Sequence, residues 1–201
     1  MKPQSFLFIG RAGAGKGTQA ALLGDALFKK DPSRKVLHIE TGAEFRKFMQ
    51  GESYTARLSK NVVEKGWLMP EFMPVYLWGR ALIERYTGEE HLIFDGTPRK
   101  LLEAKVLESV FPFYSMGKPW MIYLDIHHEE SSKRLSVRAI QQGRKDDDND
   151  AVLRRKIAFE NEVLPTVEFY KNDPSVAFLD IDGIGSVEEV HARIMERLRL
   201  D

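Results

Sequence analysis

Residues 10–19 read Gly10-Arg11-Ala12-Gly13-Ala14-Gly15-Lys16-Gly17-Thr18-Gln19 and follow the apolar run Phe6–Ile9. Phosphate oxygens need several N–H donors at once, so the backbone must come close and side chains must stay out of the way. The glycines permit that approach, and a helix starting near Lys16 adds aligned N–H groups at its positive end. Lys16 would supply a mobile cation to terminal phosphates, and the Thr18 hydroxyl would stand near Mg²⁺. One position departs from the strict phosphate-loop spacing: Gly17 stands where serine or threonine would follow the lysine. A plain glycine turn joining strand to helix is the alternative. The chemistry expected is polyphosphate binding.

A second set of residues suits chemistry on phosphates. The guanidinium fork grips phosphate bidentately and keeps its charge. Arg46, Arg99, Arg138, Arg144 and Arg155 are dispersed along the chain, with Arg134 one helical turn before Arg138. Any one of them alone reads as a surface ion-pair partner. Lys plus Arg equals Asp plus Glu at 30 each, so no global field favours nucleic acid or an anionic membrane, and phosphate binding must come from local placement. Cysteine is absent, which excludes disulfides, thiolate catalysis and a cysteine zinc site. His38, His91, His127, His128 and His191 lack metal-like clustering and are expected at edges or on the surface. No apolar run approaches the roughly 20 residues of a membrane span, and the chain enters a strand without a signal-peptide pattern. A soluble cytoplasmic protein is expected.

The elements that must position these residues alternate. Short apolar runs at Phe6–Ile9, Val36–Ile39, Leu92–Phe94, Met121–Leu124 and Val176–Leu179 read as strands. Amphipathic stretches at 16–30, 42–50, 53–65, 71–86, 99–110, 128–141, 149–171 and 186–199 read as helices. At 201 residues this predicts one α/β domain, a parallel sheet covered on both faces. Ligands in such sheets collect beyond the carboxyl ends of the strands, where the glycine loop, Thr41-Gly42 and Asp95-Gly96 all fall. Three helical patterns between the second and third strands predict a small helical insertion. Residues 141–150 are polar and aperiodic and read as a solvated loop with a helix cap.

In order and spacing, Gly10–Gln19, Thr41-Gly42 with Arg46, Asp95-Gly96-Thr97-Pro98-Arg99, Arg134 with Arg138, and Arg144-Lys145-Asp146-Asp147 followed by Arg155 resemble the adenylate kinase family of nucleoside monophosphate kinases. The resemblance implies a P-loop three-layer sandwich with a five-stranded parallel sheet and helices on both faces. It implies a core of about 1–40, 73–138 and 148–201, an acceptor-binding insertion over 41–72 and a short lid over 139–147. Gly13, Ala14, Gly15, Lys16, Gly17, Thr18, Arg134 and Arg138 are then the ATP-binding residues, with Arg134 against the donor base. Thr41, Gly42, Arg46, Gly96, Arg99, Glu103, Arg144 and Arg155 take the monophosphate. Lys16, Arg99, Arg138, Arg144 and Arg155 surround the transferred group as the catalytic set. Thr18 and Asp95 attend Mg²⁺, Asp95 through water. The short-lid type carries no zinc, Pro98 follows a cis peptide bond, and family members are commonly monomers.

The expected reaction is Mg²⁺-dependent transfer from ATP to AMP, with another (deoxy)nucleoside monophosphate such as GMP, CMP or UMP as the sibling alternative. A regulatory nucleotide-binding module without turnover is the alternative of another class. Four departures from the family pattern concern Ala12, Ala43, Thr97 and Glu103. Glu103 stands where the family has a glutamine that reads adenine. An ionised carboxylate only accepts, which suits the N1–H and N2–H₂ donors of guanine better than the mixed edge of adenine. It either reads the base or turns to solvent. Asp146 and Asp147 read as caps of the following helix. Arg11 is expected to point to solvent, and Arg154 to be a solvated helix residue.

Overall fold

The computed structural model describes residues 2–142 and 149–200. Five strands, β1 (Ser5–Gly10), β2 (Val36–Glu40), β3 (His91–Asp95), β4 (Trp120–Asp125) and β5 (Ala177–Asp182), form one parallel sheet in the order β2-β3-β1-β4-β5. Side chains alternate across it. Phe6, Phe8, Ile93, Ile122 and Leu179 pack against α1 (Lys16–Lys30) and α10 (Val187–Leu198) on one face. Leu7, Ile9, Leu92, Phe94 and Met121 pack on the other, against α4 (Phe72–Arg85), α5 (Leu101–Glu108) and α9 (Leu164–Lys171). Covered on both sides, the central strands read as continuous apolar runs. The edge strand β5 runs on to Asp182 because Leu179 and Ile181 turn inward while Asp180 and Asp182 face water.

Two helical stretches are interrupted, each at a proline. Pro112 lacks the N–H that would continue α5, and a short α6 (Val110–Phe113) starts instead. The 149–171 stretch is α8 (Asn149–Ala158), a π-helical turn at Phe159–Val163 and then α9, with Pro165 at the start of α9. Between β2 and β3 lie α2 (Thr41–Phe48), α3 (Tyr54–Glu64) and α4. The helix α7 (His128–Gln142) follows β4. Arg144, Asp146 and Asp147 lie outside the described residues.

One histidine departs from expectation. His91 opens the central strand β3 and is fully buried, with Nδ1 accepting from the Gln4 N–H at 3.2 Å. No helix among the described residues is long and apolar enough to cross a membrane.

Candidate active site

The glycine loop turns from β1 into α1, with Gly15 as the N-cap in the left-handed region (φ 87°). Gly17 has a steric reason to be glycine: a Cβ there would lie 3.0 Å from Oδ2 of Asp95. A serine or threonine after Lys16 would crowd that carboxylate, which explains the departure from the strict loop pattern. Asp95 ends β3, in register with Phe8 of β1 on one side and Glu40 of β2 on the other. Sheet pairing thus sets an acidic group beside the loop. Burial raises the Asp95 pKa, opposed by the charges of Lys16 and His38.

Lys16 Nζ donates to the Gly10 and Arg11 carbonyls at 2.9 and 2.8 Å. Burial lowers its pKa to about 8, Asp95 opposes that, and Arg99, Arg138 and Arg155 add to it. Cations therefore already crowd this point, as a site for a highly charged anion requires.

A single cavity of 1480 Å³ collects Gly13, Ala14, Gly15, Lys16, Gly17 and Thr18 with Thr41, Gly42, Arg46, Asp95, Gly96 and Arg99. Glu103, Arg134, Arg138 and Arg155 line it too. Among the described residues, eight lysines and arginines line it against five carboxylates, so a chain of zero net charge still gathers positive charge here.

Arg134 is held by Glu130 at 2.7 Å and by the Gly183 carbonyl at 3.1 Å. These bonds set it beside the turn into α10. Arg46 in α2 pairs with Glu40 at the end of β2, at 2.6 Å. Thr41 is 3% exposed, and its hydroxyl has no partner among the described residues although Thr41 lines the cavity. A buried unpaired hydroxyl is costly and suits a ligand contact. Pro98 follows a cis peptide bond. Glu103 does not turn to solvent. It is 1% exposed, and its carboxylate accepts from the Thr97 hydroxyl and from the Arg99 backbone N–H.

Two arginines depart from expectation. The Arg11 guanidinium lies 4.0 Å over the Phe159 ring rather than in solvent, a cation–π contact between the loop and the π-helical turn. Arg154 is half-buried and donates through Nε to the Lys65 carbonyl at 2.5 Å, bridging α8 to the segment after α3. Lining residues that the sequence did not single out include Gly185, Ser186 and Val187 at the turn into α10, and Phe45, Met49 and Trp67 in the insertion. The Ser186–Glu189 capping box was a readable signal for the first group; scattered apolar residues on an insertion carry none.

Comparison with known proteins identifies the family. A sequence model of the family described as adenylate kinase matches residues 8–175. The adenylate kinase of Prochlorococcus marinus is 32% identical over 177 residues, covering 88% of this chain and 90% of the relative. That of Thermus thermophilus is 31% identical over 196 residues, covering 97% of each. That of Leptospira biflexa is 29% identical over 192 residues, covering 96% of this chain and 98% of the relative. The chain belongs to the adenylate kinase family, phosphotransferases whose acceptor is itself a phosphate group.

Proposed function

We propose that the protein catalyses Mg²⁺-dependent phosphoryl transfer from ATP to AMP, giving two ADP. The observation that carries this reading is one cavity into which Lys16, Arg46, Arg99, Arg138 and Arg155 all open from separate segments of the chain. Its 1480 Å³ exceeds the about 300–1,000 Å³ usual for one small ligand. Two nucleotides suit that volume.

In the donor half, the loop amides and Lys16 take the triphosphate, and Arg134 faces its base. In the acceptor half, Thr41, Gly42, Arg46, Gly96 and Arg99 take the monophosphate. Arg138 and Arg155, with Arg144, neutralise the charge that spreads over the transferred group. The acceptor phosphate dianion is already the nucleophile, so no general base is needed. Closing of 41–72 over the cavity would exclude water and limit ATP hydrolysis.

Among the described residues no group of three or more His, Cys, Asp or Glu is placed to cage a metal. The buried Asp95 carboxylate near Lys16 and the Thr18 hydroxyl fit an ion that arrives with the nucleotide phosphates. Bound there, Mg²⁺ would neutralise donor phosphate charge. Incubation with ATP, AMP and Mg²⁺ tests the proposal. Two ADP per ATP consumed are expected, and ATP loss matched by free phosphate would contradict it.

A further inference from the structure

The turn between β3 and α5 is held at several points. The Arg99 N–H donates to Glu103 Oε2 at 2.8 Å, and the Arg99 carbonyl accepts from the Thr166 hydroxyl at 3.4 Å. Arg99 Nε donates to the Gly96 carbonyl at 2.9 Å. The Thr97 hydroxyl donates to Glu103 Oε1. Each carboxylate oxygen of Glu103 thus takes a donor from the turn itself. Glu103 lies in the first turn of α5, and its side chain leans back toward the helix start, as helical side chains do. It closes a ring over residues 97–103. The Arg99 side chain, in contrast, is exposed and opens on the cavity.

We propose that Glu103 is a positioning residue for Arg99: by tying the Thr97 hydroxyl to the Arg99 backbone, it fixes the turn from which the guanidinium reaches the acceptor phosphate. The proposal rests on the reading of Arg99 as an acceptor-phosphate group. Such a clamp matters because a displacement of about 1 Å at a reacting centre can cost about a hundredfold in rate. The pair Thr97 and Glu103 also makes chemical sense together. A hydroxyl donates or accepts as required, whereas the Arg99 N–H only donates. Burial raises the Glu103 pKa, opposed by the two hydrogen bonds and by the Arg99 charge. Protonation leaves the clamp intact, because the Thr97 hydroxyl can reverse and accept from the acid. For the same reason an amide at 103 can keep both contacts, its oxygen toward Arg99 and its N–H₂ toward Thr97. Valine at 97 can serve neither form.

The test compares E103A, E103Q, T97V and the double variant T97V/E103Q. Steady-state constants for ATP and AMP are measured, together with calorimetric binding of AMP and GMP. E103A should raise the KM for AMP about tenfold or more with the KM for ATP within about twofold. E103Q should recover most of that loss, T97V should lose less than E103A, and the double variant should lose as much as E103A. The ratio of AMP to GMP affinity should stay within about twofold throughout, since the clamp acts on phosphate. If E103Q moves that ratio about tenfold, Glu103 reads the base and the proposal fails. Equal rises in both KM values would also overturn it, by making the residue merely structural. Wild-type turnover of ATP and AMP checks the underlying reading separately: its absence removes the role of Arg99, whereas its presence with an unaltered E103A removes only the clamp.

Discussion

The donor and acceptor halves of the cavity are built on different length scales. The phosphate loop of the donor half is local, although Arg134 and residues 185–187 join that half from far along the chain. Gly10 to Thr18 are consecutive, and Lys16 is already bonded to carbonyls five and six residues back. Its geometry follows from glycine conformations and a helix start. The acceptor half is assembled from a distance. Glu44 on α2 pairs with Arg85 on α4, Glu71 pairs with Lys100 at 3.4 Å, and Arg154 on α8 holds the Lys65 carbonyl. Gly66, at φ 76°, passes so close to α8 that a Cβ would lie 2.6 Å from the Ala151 carbonyl oxygen. The loop provides a preset anion cradle, whereas the insertion depends on contacts made across the cavity. Damage to the first should disturb every phosphate ligand, and damage to the second should fall on the acceptor alone.

The largest expected effect tests that division. R99A removes the guanidinium proposed to grip the acceptor phosphate and should weaken AMP use about 30-fold or more, with ATP binding changed by less than about threefold. Equal losses for both nucleotides would erase the distinction. Next, G66A forces a Cβ against α8 and an alanine into the left-handed region, which costs about 1–2 kcal/mol before any clash. For a domain of this size that lowers the thermal midpoint by at least about 2–4 °C, and the KM for AMP should rise with it. An unchanged midpoint would mean that the insertion does not rest on α8.

On the donor side the corresponding experiment is a pH series. In the free protein Lys16 loses its proton near pH 8, pushed down first by burial. Triphosphate binding needs the ammonium, so kcat/KM for ATP should be level below neutrality. Above pH 8 it should fall by about tenfold per unit. A flat profile to pH 9.5 would contradict the role given to Lys16. The smallest effect lies outside both halves. Burial, then the neighbouring Asp173 carboxylate, raises the Glu108 pKa to about 7. A carboxyl with a raised folded-state pKa destabilises the fold once ionised. The penalty grows as pH rises from the unfolded value toward 7 and is complete above it. E108Q should therefore stabilise the protein at pH 8 by about 1 kcal/mol, a figure discounted for partial exposure, and the gain should vanish near pH 4. Nucleotide constants should not move.

The same difference in length scale decides what could be read in the chain. The strands were legible because β1, β3 and β4 are buried on both faces and so carry unbroken apolar runs. The loop was legible because its residues are adjacent. The place of Arg11 is not legible because its partner Phe159 is far away in sequence, nor that of Arg154, because a backbone carbonyl at Lys65 leaves no mark on a sequence. His91 is expected at an edge or on the surface, yet it opens the interior strand β3, buried, and accepts from the Gln4 N–H. Glu103 shows the limit most plainly. Its spacing from Arg99 was visible, but that both carboxylate oxygens would be engaged by the turn depends on the path of residues 96–100.

The measurement that bears most directly on a two-nucleotide cavity is calorimetric titration with ADP, which can enter either half. The wild-type chain should bind two ADP, and R99A should lose the acceptor half and bind one with the donor-site affinity intact. A single ADP site in the wild-type protein would contradict the account.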